Sequence, residues 1–181
     1  STLTDIHKGL SVSIWLKKGT MKFPPAEAPV ILVGPGTGMA PFRSLIQDRA
    51  MLAAQGKQVG QTVFFFGNRN KNGDYLYGSE FERYMQEKKF DLSVITAFSR
   101  DQPNKIYVQH RIKENSQLIW DLIHNKGAII YIAGNANQMP TNVRDALKVI
   151  VKQEGLVSDD QAEQYVCKME QLRRFQQETW S

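Results

Sequence analysis

A glycine-rich stretch, "VGPGTGMAPFR" at residues 33–43, has the residue types of a phosphate-binding loop. Its three glycines are Gly34, Gly36 and Gly38. They lie between an apolar run and a predicted helix, where backbone N–H groups and the positive end of the helix macrodipole can approach an anion. The hydroxyl of Thr37 is a further donor. Met39 stands where the dinucleotide fingerprint has glycine, and no Gly-Lys-Ser/Thr of a P-loop follows. We predict a pyrophosphate-binding turn, with a plain tight turn as the alternative.

Basic and hydroxyl side chains follow the next two apolar runs of the chain. Arg69 comes two residues after the run at 62–67. The stretch "SRDQPNKIYVQ", after the third run, adds Ser99, Arg100, Lys105 and Tyr107. NAD-binding domains usually carry Asp or Glu after the second strand, to hold the ribose 2′-hydroxyl. Guanidinium, ammonium and hydroxyl groups suit a 2′-phosphate instead, and a tyrosine ring can stack on adenine. The pattern favours NADP over NAD; a solvated basic loop is the alternative.

The elements that must position these residues alternate between strands and helices. Short apolar runs at 30–34, 62–67, 92–99 and 128–134 read as buried strands. Helical patterns cover about 41–55, 79–89, 107–125 with a break near 115–116, 142–155 and 158–172. Ser79 and Glu82 have the spacing of a capping box. An extended segment, "RRFQQETWS", closes the chain, and "LSVSIWL" at 10–16 alternates like a half-buried strand. We predict an α/β domain, a doubly wound five-stranded parallel sheet of Rossmann-like type.

In such sheets ligands bind beyond the carboxyl ends of the strands. Those ends carry the unusual residues of this chain: "GPGTG", "GNR", "FSR" and "AGN" follow the four runs in order. Four strand ends with glycine, polar or basic residues at corresponding positions are a stronger signal than any one of them.

Composition sets the remaining bounds. The chain has 181 residues, a net charge of +5 and 41% hydrophobic residues, which is ordinary for one globular domain. The single cysteine, Cys167, excludes an internal disulfide, and the three scattered histidines suggest no metal site. No apolar stretch reaches the length of a membrane span, and the modest charge is not clustered as in nucleic-acid-binding proteins. The first residues, "STLTDIHKG", lack the features of a signal peptide, and the missing Met suggests a piece of a longer protein. The lack of a disulfide fits a reducing, cytoplasmic compartment.

Taken together, these motifs resemble a known family. "VGPGTGMAPFRSLIQDR", "FFFGNRN", "DYLY", "AFSRDQPNKIYVQHRI", "YIAGNANQMPTNV" and "ETWS" occur in the order seen in the NADPH-binding domain of ferredoxin–NADP reductase-like flavoproteins. The penultimate tryptophan is similar to that of the diflavin reductases related to NADPH–cytochrome reductase. "AGNANQMP" and "RRFQQETW" resemble most the subfamily of cytosolic iron–sulfur assembly. The resemblance covers residues 28–181 as the NADPH-binding domain, and residues 1–27 resemble the last strand and linker of a truncated FAD-binding domain.

The resemblance implies a role for each candidate site residue. Those that would face the pyrophosphate are Gly36, Thr37 and Gly38. Arg69 would lie beside the adenosine or its phosphates. The 2′-phosphate would be held by Ser99, Arg100 and Lys105, with Tyr107 and Gln109 at the adenine end. The nicotinamide half would approach Gly134, Asn135 and Met139. Trp180 would cover the flavin ring and swing aside for the nicotinamide, and Glu178 would offer a carboxylate for hydride transfer.

Two positions depart from the pattern of many relatives. Ala133 stands where they have Cys, and Glu178 stands where they have Asp. Cys167, on the predicted last helix, is interpreted as a packing residue and does not replace the missing thiol.

The implied activity is that of an NADPH-dependent diflavin oxidoreductase. NADPH would reduce FAD, and electrons would pass through FMN to an acceptor protein, for which an iron–sulfur assembly protein is the candidate. This chain alone would be inactive, because it has no flavin-binding motif. Three alternatives stay open: a single-flavin reductase, a non-catalytic NADPH-sensing module, and a nucleoside-triphosphate binder, which the missing P-loop lysine disfavours.

Overall fold

The computed structural model describes residues 11, 13–16 and 18–180. Its five strands are β1 (Val30–Val33), β2 (Thr62–Asn68), β3 (Leu92–Phe98), β4 (Ile129–Asn135) and β5 (Phe175–Trp180). Its α-helices are α1 (Met39–Ala54), α2 (Lys71–Asp74), α3 (Gly78–Glu87), α4 (Val108–Glu114), α5 (Ser116–Trp120), α6 (Met139–Glu154) and α7 (Asp159–Gln171). A 3-10 turn (Gly36–Gly38) precedes α1, and a π-helical turn (Asp121–Asn125) follows α5.

The strands form one parallel sheet in the order β3-β2-β1-β4-β5. The predicted doubly wound, five-stranded parallel sheet is therefore confirmed. The chain moves outward from β1 to one edge through β2 and β3, then returns and builds the other side through β4 and β5. The strand order reverses between β1 and β4, which is where α/β sheets of this kind bind their ligands.

Both faces of the central strands are buried, which explains why those strands read as continuous apolar runs. Alternate side chains of a strand point to opposite faces. Leu32, Phe64 and Phe66 pack with α1 and α3 on one face, which we call the α1 face. Val33 and Phe65 pack with α4 to α7 on the other face. The sheet is thus held rigidly from both sides, and the loops at its carboxyl end have a fixed base.

The start of α3 differs from the prediction. The expected capping box of Ser79 and Glu82 does not form, because the helix begins one residue earlier, at Gly78. The residue before it, Tyr77, has a left-handed backbone with φ of 59°. A side chain at position 78 would place a Cβ 2.4 Å from the Tyr75 ring. That ring packs against Phe66 and Phe98, at centroid distances of 5.7 and 5.6 Å. Aromatic packing, rather than side-chain capping, sets this helix start.

The predicted strand at 10–16 is wrong for the residues that the structure describes. Residues 11 and 13–16 are irregular and exposed, with Ile14 83% accessible. Leu10 and Val12, which complete the apolar face of the prediction, lie outside the described residues. A strand needs a neighbouring strand for its backbone hydrogen bonds, and no other described segment pairs with this one. An alternating pattern alone therefore did not suffice to form the strand.

The carboxyl-terminal half follows the sequence closely. The helical pattern at 107–125 breaks at Asn115, as predicted, and α6 ends at Glu154 with Gly155 as its C-cap. Ser158 caps α7 through its hydroxyl, with Gln161 completing a capping box. Within the described part of the chain, no helix has the length and apolarity to cross a membrane. The same residues include no group of three or more His, Cys, Asp or Glu side chains arranged to hold a metal ion.

Candidate functional site

A side chain at each of the three loop glycines would meet different surroundings. A Cβ on Gly38 would lie 1.9 Å from the carbonyl oxygen of Ala133, so this glycine lets the loop pack directly on β4. A Cβ on Gly34 would lie 2.6 Å from the Phe42 ring, on the side of α1. Gly36 has φ of +57°, and its Cβ position is open, with no atom within 4 Å. Of the three, only Gly36 presents a bare backbone to open space, which is the feature an approaching phosphate needs.

We expect Gly38→Ala to destabilise the domain by about 2–4 kcal/mol, because the added methyl group must push the loop off β4. NADP⁺ binding should weaken as well, since the displaced loop carries Gly36. Urea unfolding followed by circular dichroism measures the first effect, and calorimetric titration the second. Gly73→Ala is the matched control, because its Cβ would meet no atom within 4 Å. Equal unfolding midpoints for the two variants would contradict the tight packing of the loop.

A cleft of about 270 Å³ lies beyond the carboxyl ends of β1 to β4, and we call it the strand-end cleft. Six of the predicted site residues line it together: Gly36, Arg69, Ser99, Tyr107, Asn135 and Met139. They come from four separate stretches of the sequence, one after each of the strands β1 to β4, so only the parallel sheet brings them to one place. A bare glycine turn, an arginine, a hydroxyl and an aromatic ring around one cleft form a donor set suited to a phosphorylated nucleotide.

The two site arginines at β2 and β3 leave from adjacent backbones. The N–H of Ser99 donates to the Asn68 carbonyl at 2.9 Å, and that of Arg100 to the Arg69 carbonyl at 2.9 Å. The strand ladder thus continues beyond the ends of both strands. The Asp101 carboxylate fixes it by accepting the N–H of Lys71 at 3.0 Å. Both arginine side chains are exposed, so two positive groups project from one hydrogen-bonded corner.

Tyr107 stands at the start of α4, with its ring 43% exposed. Its backbone N–H donates to Nδ1 of His110 at 3.0 Å, which fixes the helix start beside the cleft. Gln109 is half-buried in the first turn of the same helix, and Lys105 is exposed in the loop before it. Neither of these two lines the strand-end cleft, although both lie on the segment that supplies Ser99 and Tyr107. The Tyr-x-x-His spacing is the signal by which His110 could have been found.

Asn135 at the end of β4 and Met139 at the start of α6 border the cleft on its other side, and β5 pairs with β4 next to them. Gly134 has φ of +141°, and a Cβ there would lie 3.2 Å from the Met139 side chain. Asn135 forms a local turn in which its Oδ1 accepts the N–H of Asn137 at 2.9 Å. Trp180 pairs in register with Asn135, and its carbonyl accepts the N–H of Ala136 at 2.9 Å. The tryptophan backbone is therefore fixed, while the residue as a whole is 42% exposed at the edge of the sheet.

Glu178 lies apart from the strand-end cleft. Its Oε2 accepts the backbone N–H of Thr20 at 3.0 Å and that of Met21 at 3.2 Å, together with the Thr20 hydroxyl at 3.2 Å. The carboxylate therefore contacts the segment that leads into the domain. The role in hydride transfer that the resemblance implies for Glu178 stays a prediction, and the structure adds contacts with residues more than 150 positions away.

A second and larger cavity, of about 440 Å³, adjoins the cleft and shares Gly36 and Asn68 with it. Sequence reasoning assigned no role to Arg43 and Tyr77, which line it. The Arg43 guanidinium lies 3.8 Å from the Tyr77 ring centroid and forms an ion pair with Glu80 at 2.8 Å. Burial acts to raise the pKa of Glu80, but hydrogen bonds from Gln47 and Arg43 outweigh it and hold that pKa below its usual value. The sequence stretches "APFR" and "DYLY" contain Arg43 and Tyr77 and could have indicated this cavity.

The two positions that depart from the common pattern do not share a site with the lone cysteine. Ala133 is fully buried beneath the glycine loop. Cys167 lies on α7 with its Sγ 3.4 Å from the Glu163 carboxylate, and it lines neither of the two cavities. The hydrogen bond to Glu163, and burial after it, raise the pKa of the Cys167 thiol. This environment fits a packing residue.

Comparison with known proteins agrees with this geometry. Residues 32–145 match the family model described as "Oxidoreductase NAD-binding domain". The chain is 54% identical over 179 residues to NADPH-dependent diflavin oxidoreductase 1 of Danio rerio, covering 98% of this chain and 29% of that protein. It is 52% identical over 176 residues to the protein of the same name in Xenopus laevis, covering 97% and 28%.

A second group of relatives carries a different name. NADPH–cytochrome P450 reductase of Drosophila melanogaster is 41% identical over 173 residues, covering 95% of this chain and 25% of that protein. The chain therefore spans less than a third of the length of each of these curated relatives.

Proposed function

We propose that this chain, which belongs to the oxidoreductase NAD-binding domain family, is the NADPH-binding domain of a diflavin reductase. It binds NADPH along the strand-end cleft and presents the nicotinamide to a flavin. The observation that carries this proposal is the convergence of six of the twelve predicted cofactor-binding residues on one cleft at the switch point of the sheet. The open Gly36 turn fits a pyrophosphate, and the arginine corner fits a phosphate.

The orientation of NADPH follows from where the charges lie. The pyrophosphate would rest on Gly36 and Thr37, at the amino end of α1. The 2′-phosphate would lie in the basic corner formed by Ser99, Arg100 and Lys105. Tyr107 and Gln109 would then contact the adenine, with Arg69 beside the adenosine phosphates. The glycine Gly38 supports this arrangement from beneath rather than by contact, since its missing Cβ faces β4.

The nicotinamide half would then extend toward the ends of β4 and β5. Gly134, Asn135 and Met139 would border it, and the exposed ring of Trp180 would cover the flavin. NADPH supplies the hydride when bound, and the flavin accepts it; this domain supplies binding and orientation. The protein residues that touch the reacting groups are thus expected at the β4 end, on the side away from the basic corner.

The remaining proposals concern the whole protein, of which this chain resembles one part. We propose that residues 1–27 lead from an FAD-binding domain and that residues 28–181 form the NADPH-binding domain. FAD and FMN would be bound elsewhere in the full-length oxidoreductase, which would act in the cytoplasm. The resemblance of "AGNANQMP" and "RRFQQETW" supports an iron–sulfur assembly protein as the electron acceptor. We propose no nucleic acid or membrane as a partner of this chain.

Binding by the 181-residue chain tests the proposed function directly. We expect calorimetric titration to show binding of NADP⁺ and 2′,5′-ADP, with NAD⁺ about tenfold or more weaker because it lacks the 2′-phosphate. The same material should show no flavin absorbance and no NADPH-dependent ferricyanide reduction. ATP is the control for a nucleoside-triphosphate binder and should not compete with 2′,5′-ADP. Equal affinity for NAD⁺ and NADP⁺, or competition by ATP, would refute the proposed cofactor.

A further inference from the structure

The segment that leads into the domain is bound to β5 by side chains rather than by strand pairing. We call residues 19–23 the leading segment. Oε2 of Glu178 accepts three hydrogen bonds from Thr20 and Met21, at 3.0 to 3.2 Å. Gln176, two residues earlier on the same face of β5, accepts the N–H of Lys22 through its Oε1 at 3.0 Å. Two side chains of one strand thus take the place of a neighbouring strand's carbonyl groups.

The fit between the carboxylate and the leading segment is close. A Cβ on Gly19 would lie 3.0 Å from Oε2 and 3.3 Å from Oε1 of Glu178. Glycine at this position therefore lets the carboxylate reach successive backbone N–H groups, an arrangement that favours an anion. The longer reach of Glu, compared with Asp, is used here to meet the leading segment.

The leading segment is also anchored to the core of the domain. The buried Tyr131 donates its hydroxyl to the Lys22 carbonyl at 2.6 Å. The ring of Phe23 meets that of Tyr131 edge-on, at a centroid distance of 5.6 Å. Burial raises the pKa of Tyr131 to about 12, so its hydroxyl remains a donor throughout the neutral range. The leading segment has one fixed position on the α1 face of β4 and β5.

The geometry points to a new role for Glu178. We propose that Glu178 is a positioning residue which, with Gln176, latches the leading segment to β5 and so aligns whatever precedes residue 19 with Trp180. Trp180 lies two residues beyond Glu178 on the same face of the same strand. The latch therefore sets the relation between the leading segment and the strand end that carries the ring. The consequence for hydride transfer rests on the proposed function; the latch itself does not.

Backbone amide exchange on the 181-residue chain tests the latch without any cofactor. Glu178→Ala should speed exchange at Thr20 and Met21 by about tenfold or more, because their charge-assisted acceptor is lost. Glu178→Gln should change it much less, since an amide oxygen still accepts. Gln177→Ala is the matched control, because Gln177 lies on the opposite face of β5, and it should leave these amides unchanged. Unchanged exchange in Glu178→Ala would overturn the latch.

A second variant tests the same contact while leaving Glu178 in place. Gly19→Val would crowd the carboxylate, since a Cβ there already lies 3.0 Å from Oε2 and valine adds two further methyl groups beyond it. Exchange at Thr20 and Met21 should rise as in Glu178→Ala. This result remains informative if Glu178→Ala fails to fold, and normal protection in Gly19→Val would count against the proposal.

In the full-length protein, single-turnover flavin reduction by NADPH separates positioning from chemistry. Glu178→Ala should slow reduction by about tenfold while NADP⁺ affinity stays unchanged, and Glu178→Gln should restore most of the rate. If Glu178→Gln is as slow as Glu178→Ala, the carboxylate charge acts on the reaction and the positioning role is wrong. If NADPH reduces the flavin neither in the unsubstituted protein nor in any variant, the proposed function is wrong. The amide exchange result still shows whether the latch exists.

Discussion

Arg100→Ala is expected to weaken NADP⁺ binding by about tenfold to a hundredfold and to leave NAD⁺ binding nearly unchanged. A charge-assisted hydrogen bond is worth roughly 1.5–3 kcal/mol, and about 1.4 kcal/mol corresponds to a factor of ten in affinity. Only NADP⁺ carries the 2′-phosphate that this guanidinium would contact. Calorimetric titration of the chain with both cofactors, at one fixed salt concentration, measures the difference.

Two variants control this experiment. Arg83→Ala removes another exposed arginine, which lies on α3 and pairs with Glu87, and this variant should bind both cofactors normally. Arg100→Lys keeps the charge but loses the planar guanidinium, so its affinity for NADP⁺ should lie between those of Arg100→Ala and Arg83→Ala. Equal losses of affinity for NADP⁺ and NAD⁺ in Arg100→Ala would show instead that Arg100 supports the structure of the loop after β3.

The closeness of Arg69 and Arg100 could be predicted from the sequence because strand ends of a parallel sheet share one edge. Once the apolar runs at 62–67 and 92–99 were interpreted as buried strands, Arg69 and Arg100 had to lie near each other. The hydrogen bond between their backbones extends that argument past the strands. The clamp by Asp101 could not be predicted, because it depends on the conformation of two loops rather than on a pattern.

Other parts of the site depend on contacts between remote segments, which no local pattern encodes. The three loop glycines look alike in the sequence, yet Gly34 and Gly38 face the protein and only Gly36 faces open space. The role of Glu178 in hydride transfer, which the resemblance implies, stays a prediction, while its hydrogen bonds to Thr20 and Met21 could not be predicted from the sequence. The start of α3 was misplaced because the packing of the Tyr75 ring outweighs the local capping pattern.

The largest effect on cofactor choice is expected at Trp180, in the full-length protein. If its ring covers the flavin, it competes with the nicotinamide, and the apparent affinity of either cofactor falls by the fraction of molecules that are open. NADPH can offset this loss through the 2′-phosphate contacts, whereas NADH has no such anchor. Deleting Trp180 and Ser181 should therefore tighten binding of both cofactors, with a gain in NADH use on the order of tenfold or more.

The backbone of Trp180 calls for a second variant, because its carbonyl accepts the Ala136 N–H and the deletion removes that bond. Trp180→Ala keeps the bond and removes only the ring, so both variants should show the NADH gain if the ring is the cause. Product NADP⁺ should also leave more slowly, so turnover with NADPH can fall while its affinity rises. Steady-state kinetics with NADPH and NADH measure all three effects. An unchanged turnover and Michaelis constant for NADH would mean that Trp180 does not gate the flavin and that its ring serves only in packing.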